Sequence, residues 1–429
     1  MSLALGLDFA TQSARAVLLD ANGTIHNRIS KDLSPVITGT DGSRRQDPKS
    51  WLDALDYLVS ASTEYARVNN LNISSMAITA TSGTFVLCDE SGSAISQGVM
   101  YNDGTAKTPL ERAALLNLSG SYFKHVPEFL IAHLTVQKNI AADWSHSLKS
   151  GYDLNKKQWE VKSELNLPEV VAPGTKLGEY QGISIFAGMT DGCTGQISAG
   201  GAQVGSAVTT LGTTLVTKIV SEINISGPGF YSHLLPQNKW LAGGASNLGG
   251  ISLKKFDDLA KMNIEAAKFG ISKRIIYPLV GKGERFPIAD ANFLEINDCQ
   301  PISNADEFLS IIQGIAFAEK LSYEKLEAAG GPKISNISTV GGGTKSDLWS
   351  SLRATIIGKP IMVRKEAGSD IGAAMLALAA LSDPDLSKGL SEIKLQPGIE
   401  FEPNLKIKAE LDESYAKFLK LIHHSHTDH

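Results

Sequence analysis

Two aspartates in this sequence, Asp8 and Asp191, each follow a hydrophobic run that predicts a buried strand. Beyond Asp8 come the hydroxyl and amide side chains of Thr11, Gln12 and Ser13. A carboxylate in such a segment could position a hydrated Mg2+, because hard cations prefer oxygen ligands and Mg2+ keeps its waters beside nucleotide phosphates. The alternative is an aspartate that only accepts N–H bonds within a turn. The residues alone leave both interpretations of Asp8 open.

Asp191 stands between a predicted strand and a predicted helix that extends to about Ala199. One interpretation is an N-cap aspartate, whose carboxylate accepts the first N–H groups of the helix. The other is a general base, which takes a proton from a substrate hydroxyl within hydrogen-bond reach. The two interpretations are compatible, because a cap position holds the carboxylate in place and leaves one oxygen free.

Glycine and threonine are concentrated at three predicted strand ends, residues 8–13, 211–214 and 341–343. Backbone N–H groups at such ends, together with threonine hydroxyls, can bind phosphate oxygens without a lysine. The sequence contains no G-x-x-x-x-G-K-[ST] motif and no G-x-G-x-x-G motif after a strand. Three consecutive glycines at 341–343 also allow a flat ligand to approach the backbone closely. The pattern therefore predicts phosphate binding at the tips of hairpins.

The elements that carry these segments follow from periodicity and turn residues. Alternating apolar residues predict a three-stranded meander with a turn at Asn22 and Gly23. Asp47, followed by Pro48, predicts the start of an amphipathic helix. A second threonine-rich hairpin is expected over 206–220, about 200 residues after the first. Two similar halves suggest a duplicated α/β domain with a cleft between the copies and a boundary near Gly201.

Composition narrows the class of protein. A hydrophobic content of 42% with 20% charged residues predicts a soluble globular enzyme. The net charge of -5 provides no basic stripe for nucleic acid. Three separated cysteines without CxxC spacing argue against disulfides and zinc. We expect no targeting or membrane-spanning segment and a cytoplasmic location, or the equivalent plastid stroma in a photosynthetic host.

Five segments, in this order, carry a resemblance to a known family: "GLDFATQSARAVLLD", "GMTDGCTGQISAG", "TTLGTTLV", "WLAGGASNLGG" and "STVGGGTKSDLW". They are similar to the first phosphate motif, the catalytic-aspartate segment, the second phosphate motif, a phosphate-proximal glycine segment and the adenosine motif of the FGGY carbohydrate kinases. The resemblance covers most of the chain. It implies two ribonuclease-H-like domains of the actin/hexokinase ATPase type, assigned to 1–201 and 202–429, with a cleft between them.

The resemblance also implies roles for individual residues. Asp191 would be the catalytic base, and Asp8 would lie near the substrate and Mg2+. The implied sugar contacts, from "TATSGT" and "YND", are Thr81, Ser82, Asn102 and Asp103. The implied ATP contacts are Thr11, Gln12, Ser13, Gly212, Thr213, Thr214, Gly249, Gly342 and Gly343. ATP and Mg2+ are the implied cofactors, a small sugar is the implied partner, and a homodimer is compatible with the family.

The resemblance implies transfer of the ATP γ-phosphoryl group to a hydroxyl of a ketopentose. The "TATSGT" loop lacks the Met-His pair typical of bacterial xylulose kinases, and the chain is short. Both features favour the plant and cyanobacterial kinases that resemble xylulose kinases but prefer D-ribulose. Xylulose or another sugar of the family is an alternative substrate, and glycerol or a hexose is another.

One segment departs from the family pattern. Asp143 and Trp144 are followed almost at once by the segment 148–153, where relatives carry a longer stretch. The shortened region, 134–153, belongs to the sugar-binding part of the family fold. This departure supports a different class of function, a degenerate kinase that acts as an ATP-binding sensor or as a sugar-independent ATPase. The two aspartates argue against that alternative, because a protein that only binds ATP needs no base.

Overall fold

The computed structural model describes residues 2–160 and 163–427 and divides them into two compact units. The first unit contains the residues up to Ser198 together with His233–Asn238 and Ala367–Gln396. The second contains Ala199–Ser232, Lys239–Glu366 and the residues from Pro397 onward. The domain boundary expected near Gly201 concerns the division of the family fold and stays a prediction. The two compact units interleave in sequence, because each is built from three separate segments of the chain.

The strands up to residue 186 lie in the first unit. They are β1 (Ser2–Phe9), β2 (Ser13–Asp20), β3 (Ile25–Asp32), β4 (Ile37–Thr38), β5 (Arg44–Gln46), β6 (Asn72–Ala80), β7 (Phe85–Cys88), β8 (Gly98–Val99), β9 (Tyr122–His125), β10 (Ala142–Asp143), β11 (Tyr152–Asp153), β12 (Gln158–Trp159), β13 (Val170–Val171), β14 (Lys176–Tyr180) and β15 (Ile183–Phe186). The later strands are β16 (Ser206–Leu211), β17 (Leu215–Ser221), β18 (Phe230–Leu234), β19 (Trp240–Ala245), β20 (Ile276–Tyr277), β21 (Ile296–Asn297), β22 (Asn336–Val340), β23 (Ile361–Val363) and β24 (Ile399–Phe401).

The helices lie between groups of these strands and at the end of the chain. They are α1 (Pro48–Val68), α2 (Pro109–Ala114), α3 (Val126–Thr135), α4 (Trp144–Leu148), α5 (Asp191–Ser198), α6 (Leu259–Phe269), α7 (Asn304–Ala328), α8 (Asp347–Ile357), α9 (Ser369–Ser382), α10 (Leu386–Glu392) and α11 (Leu405–Thr427). Among the helices of the described residues, none has the length and apolar character needed to cross a bilayer.

The main sheet of the first unit has the order β14-β15-β6-β1-β2-β3. Strands β1, β2 and β3 form the predicted antiparallel meander, which confirms that expectation. Strands β6 and β1 run parallel, as do β15 and β6, so that their carboxyl ends meet at one edge. Leu3, Leu5 and Leu7 are fully buried, and this burial fixes the register of β1.

The second large sheet repeats this arrangement. Its order is β18-β19-β17-β16-β22-β23-β24, with β16, β17 and β19 antiparallel and β22 and β23 parallel to β16. The succession β19-β17-β16-β22-β23 therefore corresponds to β3-β2-β1-β6-β15 of the first sheet. The expected hairpin over 206–220 is confirmed as β16 and β17.

The predicted helix after Asp47 is confirmed as α1. The Asp47 carboxylate accepts the Lys49 N–H at 3.0 Å, and Pro48 occupies the first turn, where its missing N–H costs nothing. The buried face of α1 includes Trp51, whose ring meets the ring of Phe129 edge-on at 6.4 Å. This helix covers one face of the meander.

Helix α9 packs directly against β1, although more than 350 residues separate the two elements in sequence. The approach is close because β1 carries Gly6, where a Cβ atom would lie 2.0 Å from the carbonyl oxygen of Asp370. The packing explains why the segment Ala367–Gln396 belongs to the first unit. It also brings Asp370 to the carboxyl half of β1.

Gly6→Ala is expected to destabilise the first unit by about 1–3 kcal/mol, because the added methyl forces α9 away from β1. Thermal unfolding measures the effect as a lower Tm. Gly195→Ala on α5 is the matched control, since its Cβ would meet only the Ser369 hydroxyl at 3.8 Å. Equal Tm values for the two variants would contradict the packing argument.

Candidate active site

Asp8 lies at the carboxyl end of β1 and is only 2% exposed. Its Oδ2 atom lies 3.3 Å from Nη2 of Arg15, its partner across the hairpin. Its Oδ1 atom is buried and has no hydrogen-bond partner in the described part of the chain. A buried carboxylate oxygen without a donor is costly, so this atom is available for a ligand.

Burial raises the pKa of Asp8 to about 7. This value already includes the effects of neighbouring charges: the guanidinium of Arg15 lowers the pKa, and the carboxylates of Asp191 and Asp370 raise it. Asp370 is itself held by Arg28, through bonds of 2.7 Å from Nε and 2.9 Å from Nη2. The structure thus brings Asp8 and Asp191 together, and adds the pair of Asp370 and Arg28, which the sequence analysis missed.

Asp191 is the first residue of α5, and its side chain is partly exposed. Its Oδ1 atom accepts the N–H of Gly192 at 2.7 Å, and its carbonyl accepts the Ser369 hydroxyl at 3.2 Å. Within the described residues its Oδ2 atom has no donor. Asp191 is therefore the first helical residue and not the N-cap that was expected, since the carbonyl of Thr190 accepts the first N–H groups of α5. The bond from Gly192 still holds one carboxylate oxygen and leaves the other free.

The two predicted sugar loops lie side by side. The hydroxyls of Thr81 and Thr84 are 2.7 Å apart, and the Thr84 hydroxyl oxygen accepts the N–H of Tyr101 at 3.1 Å. The hydroxyl oxygen of Ser82 is buried without a partner among the described residues, as a ligand-binding group would be. Asn102, one residue beyond Tyr101, is exposed.

Asp103 differs from the other candidates because its carboxylate is occupied by the protein. Its oxygens accept the N–H groups of Arg44, at 2.6 Å, and Thr105, at 3.0 Å. The guanidinium of Arg45 also donates to it. Asp103 is buried, so these bonds hold the loop that presents Asn102.

Lys149, within the segment 148–153, is a further candidate to which the sequence assigned no role. Its side chain remains accessible to solvent but is crowded by protein atoms, and its Cδ lies 3.9 Å from the Cβ position of Gly83. Loss of hydration lowers the pKa of Lys149, and the nearby carboxylate of Asp191 opposes this shift. It makes no ion pair with another described residue. The fold brings Lys149 close enough to Asp191 for their charges to interact.

The tip of the first hairpin contains the predicted phosphate contacts Thr11, Gln12 and Ser13. Its carbonyls are occupied: Gln46 Nε2 donates to the Thr11 oxygen at 3.0 Å, and the N–H of Leu33 donates to the Gln12 oxygen at 2.9 Å. The N–H groups of Thr11 and Gln12 have no acceptor among the described residues. A rigid tip with free donors suits an anion.

The tip of the second hairpin has the same character. The carbonyls of Gly212 and Thr213 accept the N–H groups of Gly250 and Ile251, at 2.8 and 3.1 Å. The N–H groups of Thr213 and Thr214 have no acceptor in the described ranges. In each unit, therefore, a hairpin presents free backbone donors.

Gly249 packs against this second tip in a conformation that other residues rarely adopt, with φ of 144°. A Cβ atom there would lie 2.7 Å from the carbonyl oxygen of Thr213. Glu284 holds the preceding residues, because its carboxylate accepts the Ser246 hydroxyl and the Asn247 N–H, each at 2.8 Å. Glu284 is another residue that the sequence analysis did not single out.

The three glycines at 341–343 lie next to the tip of the second hairpin. Gly341 and Gly343 lie against Leu211, the last residue of β16, and Gly342 has open space above it. Ser346 caps α8 by accepting the N–H of Trp349 at 3.0 Å. The structure therefore brings Gly212–Thr214, Gly249 and Gly342–Gly343 together within the second unit.

The residues around Asp8 fit a magnesium ion that is held mainly by water and phosphate. The unpartnered Oδ1 atom of Asp8 is a hard oxygen donor, as Mg2+ prefers. The described residues contain no cluster of three or more histidine, cysteine or acidic side chains that could enclose a metal ion. A single carboxylate suits a hydrated cation rather than a dedicated protein cage.

Comparison with sequence families gives two matches from one family. Residues 3–125 match the N-terminal domain of the FGGY family of carbohydrate kinases, and residues 204–381 match the C-terminal domain of the same family. Together the two matches cover more than half of the chain.

Individual relatives are similar over nearly the whole length. A xylulose kinase of Staphylococcus epidermidis is 22% identical over 486 aligned positions, covering 98% of this chain and 96% of that protein. Among solved structures, a gluconate kinase from Lactobacillus acidophilus has a TM-score of 0.84 at 20% identity, covering 98% and 97% of the two chains. A xylulose kinase from Rhodospirillum rubrum has a TM-score of 0.84 at 17% identity, covering 99% of each. The expected fold, that of the actin/hexokinase-type ATPases, is confirmed.

Asp8→Asn is expected to stabilise the protein without ligands at pH 8. The raised pKa means that the folded state favours the neutral carboxyl, so the penalty is absent below pH 3.8, grows as pH rises toward 7 and is constant above it. We expect a gain of about 1–2 kcal/mol, or roughly 3–8 °C in Tm, at pH 8 and a smaller gain at pH 5. The exposed Asp32→Asn is the control, and an equal loss of Tm at both pH values in the Asp8 variant would refute the argument.

Proposed function

Because this chain belongs to the FGGY family of carbohydrate kinases, ATP-dependent phosphotransferases with a hydroxyl acceptor, we propose that it phosphorylates a ketopentose. D-Ribulose is the proposed preferred substrate, and a terminal hydroxyl is the proposed acceptor. The observation that carries the proposal is the free Oδ2 atom of Asp191, whose carboxylate interacts electrostatically with Lys149 and with the buried carboxylate of Asp8.

Asp191 is the proposed general base. Its free oxygen accepts the proton of the acceptor hydroxyl as the oxygen attacks the γ-phosphorus, and the bond from phosphorus to the β,γ-bridging oxygen breaks. Helix α5 and the Gly192 N–H hold the carboxylate, so little reorganisation accompanies the proton transfer. General-base catalysis of this kind is worth about 10² to 10⁴ in rate.

The hairpin tips are the proposed phosphate sites. Thr11, Gln12 and Ser13 in the first unit and Gly212–Thr214 in the second offer backbone N–H groups and hydroxyls to phosphate oxygens. Gly249, Gly342 and Gly343 are proposed to lie against the nucleotide, with the last two facing adenosine. Asp8 would hold Mg2+, which neutralises phosphate charge when bound.

The proposed sugar contacts are Thr81, Ser82 and Asn102, with Asp8 beside them. The buried, unpartnered hydroxyl of Ser82 supports a hydrogen bond to a sugar oxygen. Asp103 is proposed to act within this group by holding the loop of Asn102, since its own oxygens are occupied. The loop 79–84 carries no Met-His pair, which supports D-ribulose over the xylulose of several relatives. It also carries no charged side chain, which argues against glycerol.

Asp191→Asn is expected to lower kcat by about 10² to 10⁴, because the amide cannot accept the proton. Nucleotide affinity, measured by calorimetry with ADP, should stay close to that of the wild type. Asp53→Asn, at an exposed carboxylate on α1, is the matched control and should keep full activity. A variant with wild-type kcat on its best sugar would overturn the role of Asp191.

The substrate is tested by measuring ADP release with D-ribulose, D-xylulose, L-ribulose, glycerol and no sugar. We expect the highest kcat/KM with D-ribulose, and a low rate without sugar. A higher kcat/KM with D-xylulose would replace the proposed substrate while preserving the reaction. ADP release that does not depend on sugar would instead identify an ATPase or an ATP-binding sensor.

A further inference from the structure

A buried polar cluster lies behind the proposed catalytic base, formed by Asp143, Ser145 and His146 at the start of α4. All three residues are almost completely buried, and His146 has no exposed surface. In the sequence, Asp143 is distinguished only by its place in the shortened region 134–153. Burying an aspartate and a histidine costs folding free energy unless both are paired, so we expect each of them to have hydrogen-bond partners.

His146 is bound at both ring nitrogens. Nδ1 forms a short hydrogen bond with Oδ2 of Asp143, and Nε2 lies 3.3 Å from the carbonyl oxygen of Ala80. A carbonyl can only accept. Asp143 accepts three N–H and O–H donors at Oδ1 and its net pKa is lowered despite burial, so its carboxylate is ionised and can also only accept. Both nitrogens therefore carry a proton, and the ring is an imidazolium.

The bond to Ala80 reaches one side of the proposed site. Ala80 is the last residue of β6, and Thr81 and Ser82 follow it directly. Because the carbonyl of Ala80 precedes the peptide bond to Thr81, the imidazolium restrains the start of this sugar loop.

The bonds of Asp143 reach the other side. Its Oδ1 atom accepts the hydroxyl of Ser145 at 2.5 Å, and it also accepts the N–H groups of Ser145 and His146. The hydroxyl oxygen of Ser145 in turn accepts the N–H of Thr190 at 2.9 Å. Thr190 immediately precedes Asp191, so this chain of bonds ends at the backbone of the proposed base.

We propose that His146 is a positioning residue, which as an imidazolium ties the loop of Thr81 to the segment of Asp191. This inference rests on the proposed function, because it assigns both ends of the chain of bonds to one substrate site. The residue touches neither substrate nor nucleotide in the proposal. It acts on Ala80 directly and on Thr190 through Asp143 and Ser145.

The surrounding charges agree with an imidazolium. Burial, the largest single effect, lowers the pKa of His146. The charge and hydrogen bond of Asp143, together with the carboxylates of Glu128 and Asp191, raise it, and the net pKa is raised. The other titratable ring nearby is His125, whose centroid lies 5.8 Å from that of His146. Its Nδ1 is bound to Glu128 at 2.8 Å and its Nε2 to the Ser150 hydroxyl at 3.0 Å.

Two substitutions separate the two ends of the chain of bonds. In His146→Asn, the amide nitrogen takes the place of Nδ1 and keeps Asp143 but cannot reach Ala80, so we expect the KM for sugar to rise about tenfold with a smaller change in kcat. In Ser145→Ala, the bond to Thr190 is lost, so we expect kcat to fall about tenfold with a nearly unchanged KM. His133→Asn, at an exposed histidine paired with Asp56, is the matched control and should change neither constant.

A spectroscopic measurement tests the protonation state independently of activity. With 15N-labelled histidine, and His146→Asn to identify the signal, His146 should show two protonated ring nitrogens at pH 8, where an unperturbed histidine is neutral. A neutral tautomer at that pH would overturn the proposal. Variants with lower Tm but wild-type kcat and KM would also overturn it, since they would show a purely structural pair.

The role of His146 can be tested even if the proposed function is wrong. If the wild-type enzyme phosphorylated none of the sugars, the proposed function would fail, and hydrogen exchange would take the place of kinetics. The proposal then requires faster exchange within 79–84 in His146→Asn and at Thr190 in Ser145→Ala. Unchanged exchange in both segments would overturn it.

Discussion

The first unit depends on the placement of negative charge at the carboxyl end of β1. Asp8 is buried there with Asp191 and Asp370 nearby, and burial together with these two carboxylates raises its pKa to about 7. Arg15 and the Arg28 that holds Asp370 offset part of this cost. A carboxylate that the fold holds at a cost in stability is typical of a functional site, because a bound cation or substrate can relieve it.

Both units meet a related constraint at their hairpin tips. A tip that binds phosphate must leave N–H groups unpaired, and an unpaired tip is mobile unless its carbonyls are held. In the first unit Gln46 and Leu33 hold the tip through those carbonyls, and in the second Gly250 and Ile251 do so. The donors that remain are therefore fixed in place before a ligand arrives, which lowers the entropy lost on binding.

Much of the fold could be predicted because its signals are local. Alternation identified the first meander and the second hairpin, and Asp47 with Pro48 located the start of α1. Only part of the proposed site could be predicted from such local signals. Asp8 and Asp191 stand out in sequence because each follows a hydrophobic run. His146 and Lys149 lie within and just after the short helix α4, outside the five motif segments. The family resemblance implied that Asp103 contacts the sugar. In the structure both of its carboxylate oxygens accept backbone N–H groups, from Arg44 and Thr105.

The sequence by itself determined the repeated strand pattern, the hairpin tips and the two aspartates, since turn residues and apolar spacing act over a few residues. Only the tertiary structure decided which distant segments meet. The packing of α9 on β1 brings Asp370 to Asp8, and the bonds of Asp143 and Ser145 connect α4 to the backbone before Asp191. Such contacts depend on the burial of side chains from separate elements, and no local pattern of residues records them. The cluster of Asp143, Ser145 and His146 likewise lies behind the proposed base because of tertiary packing, and no local sequence pattern predicted its position.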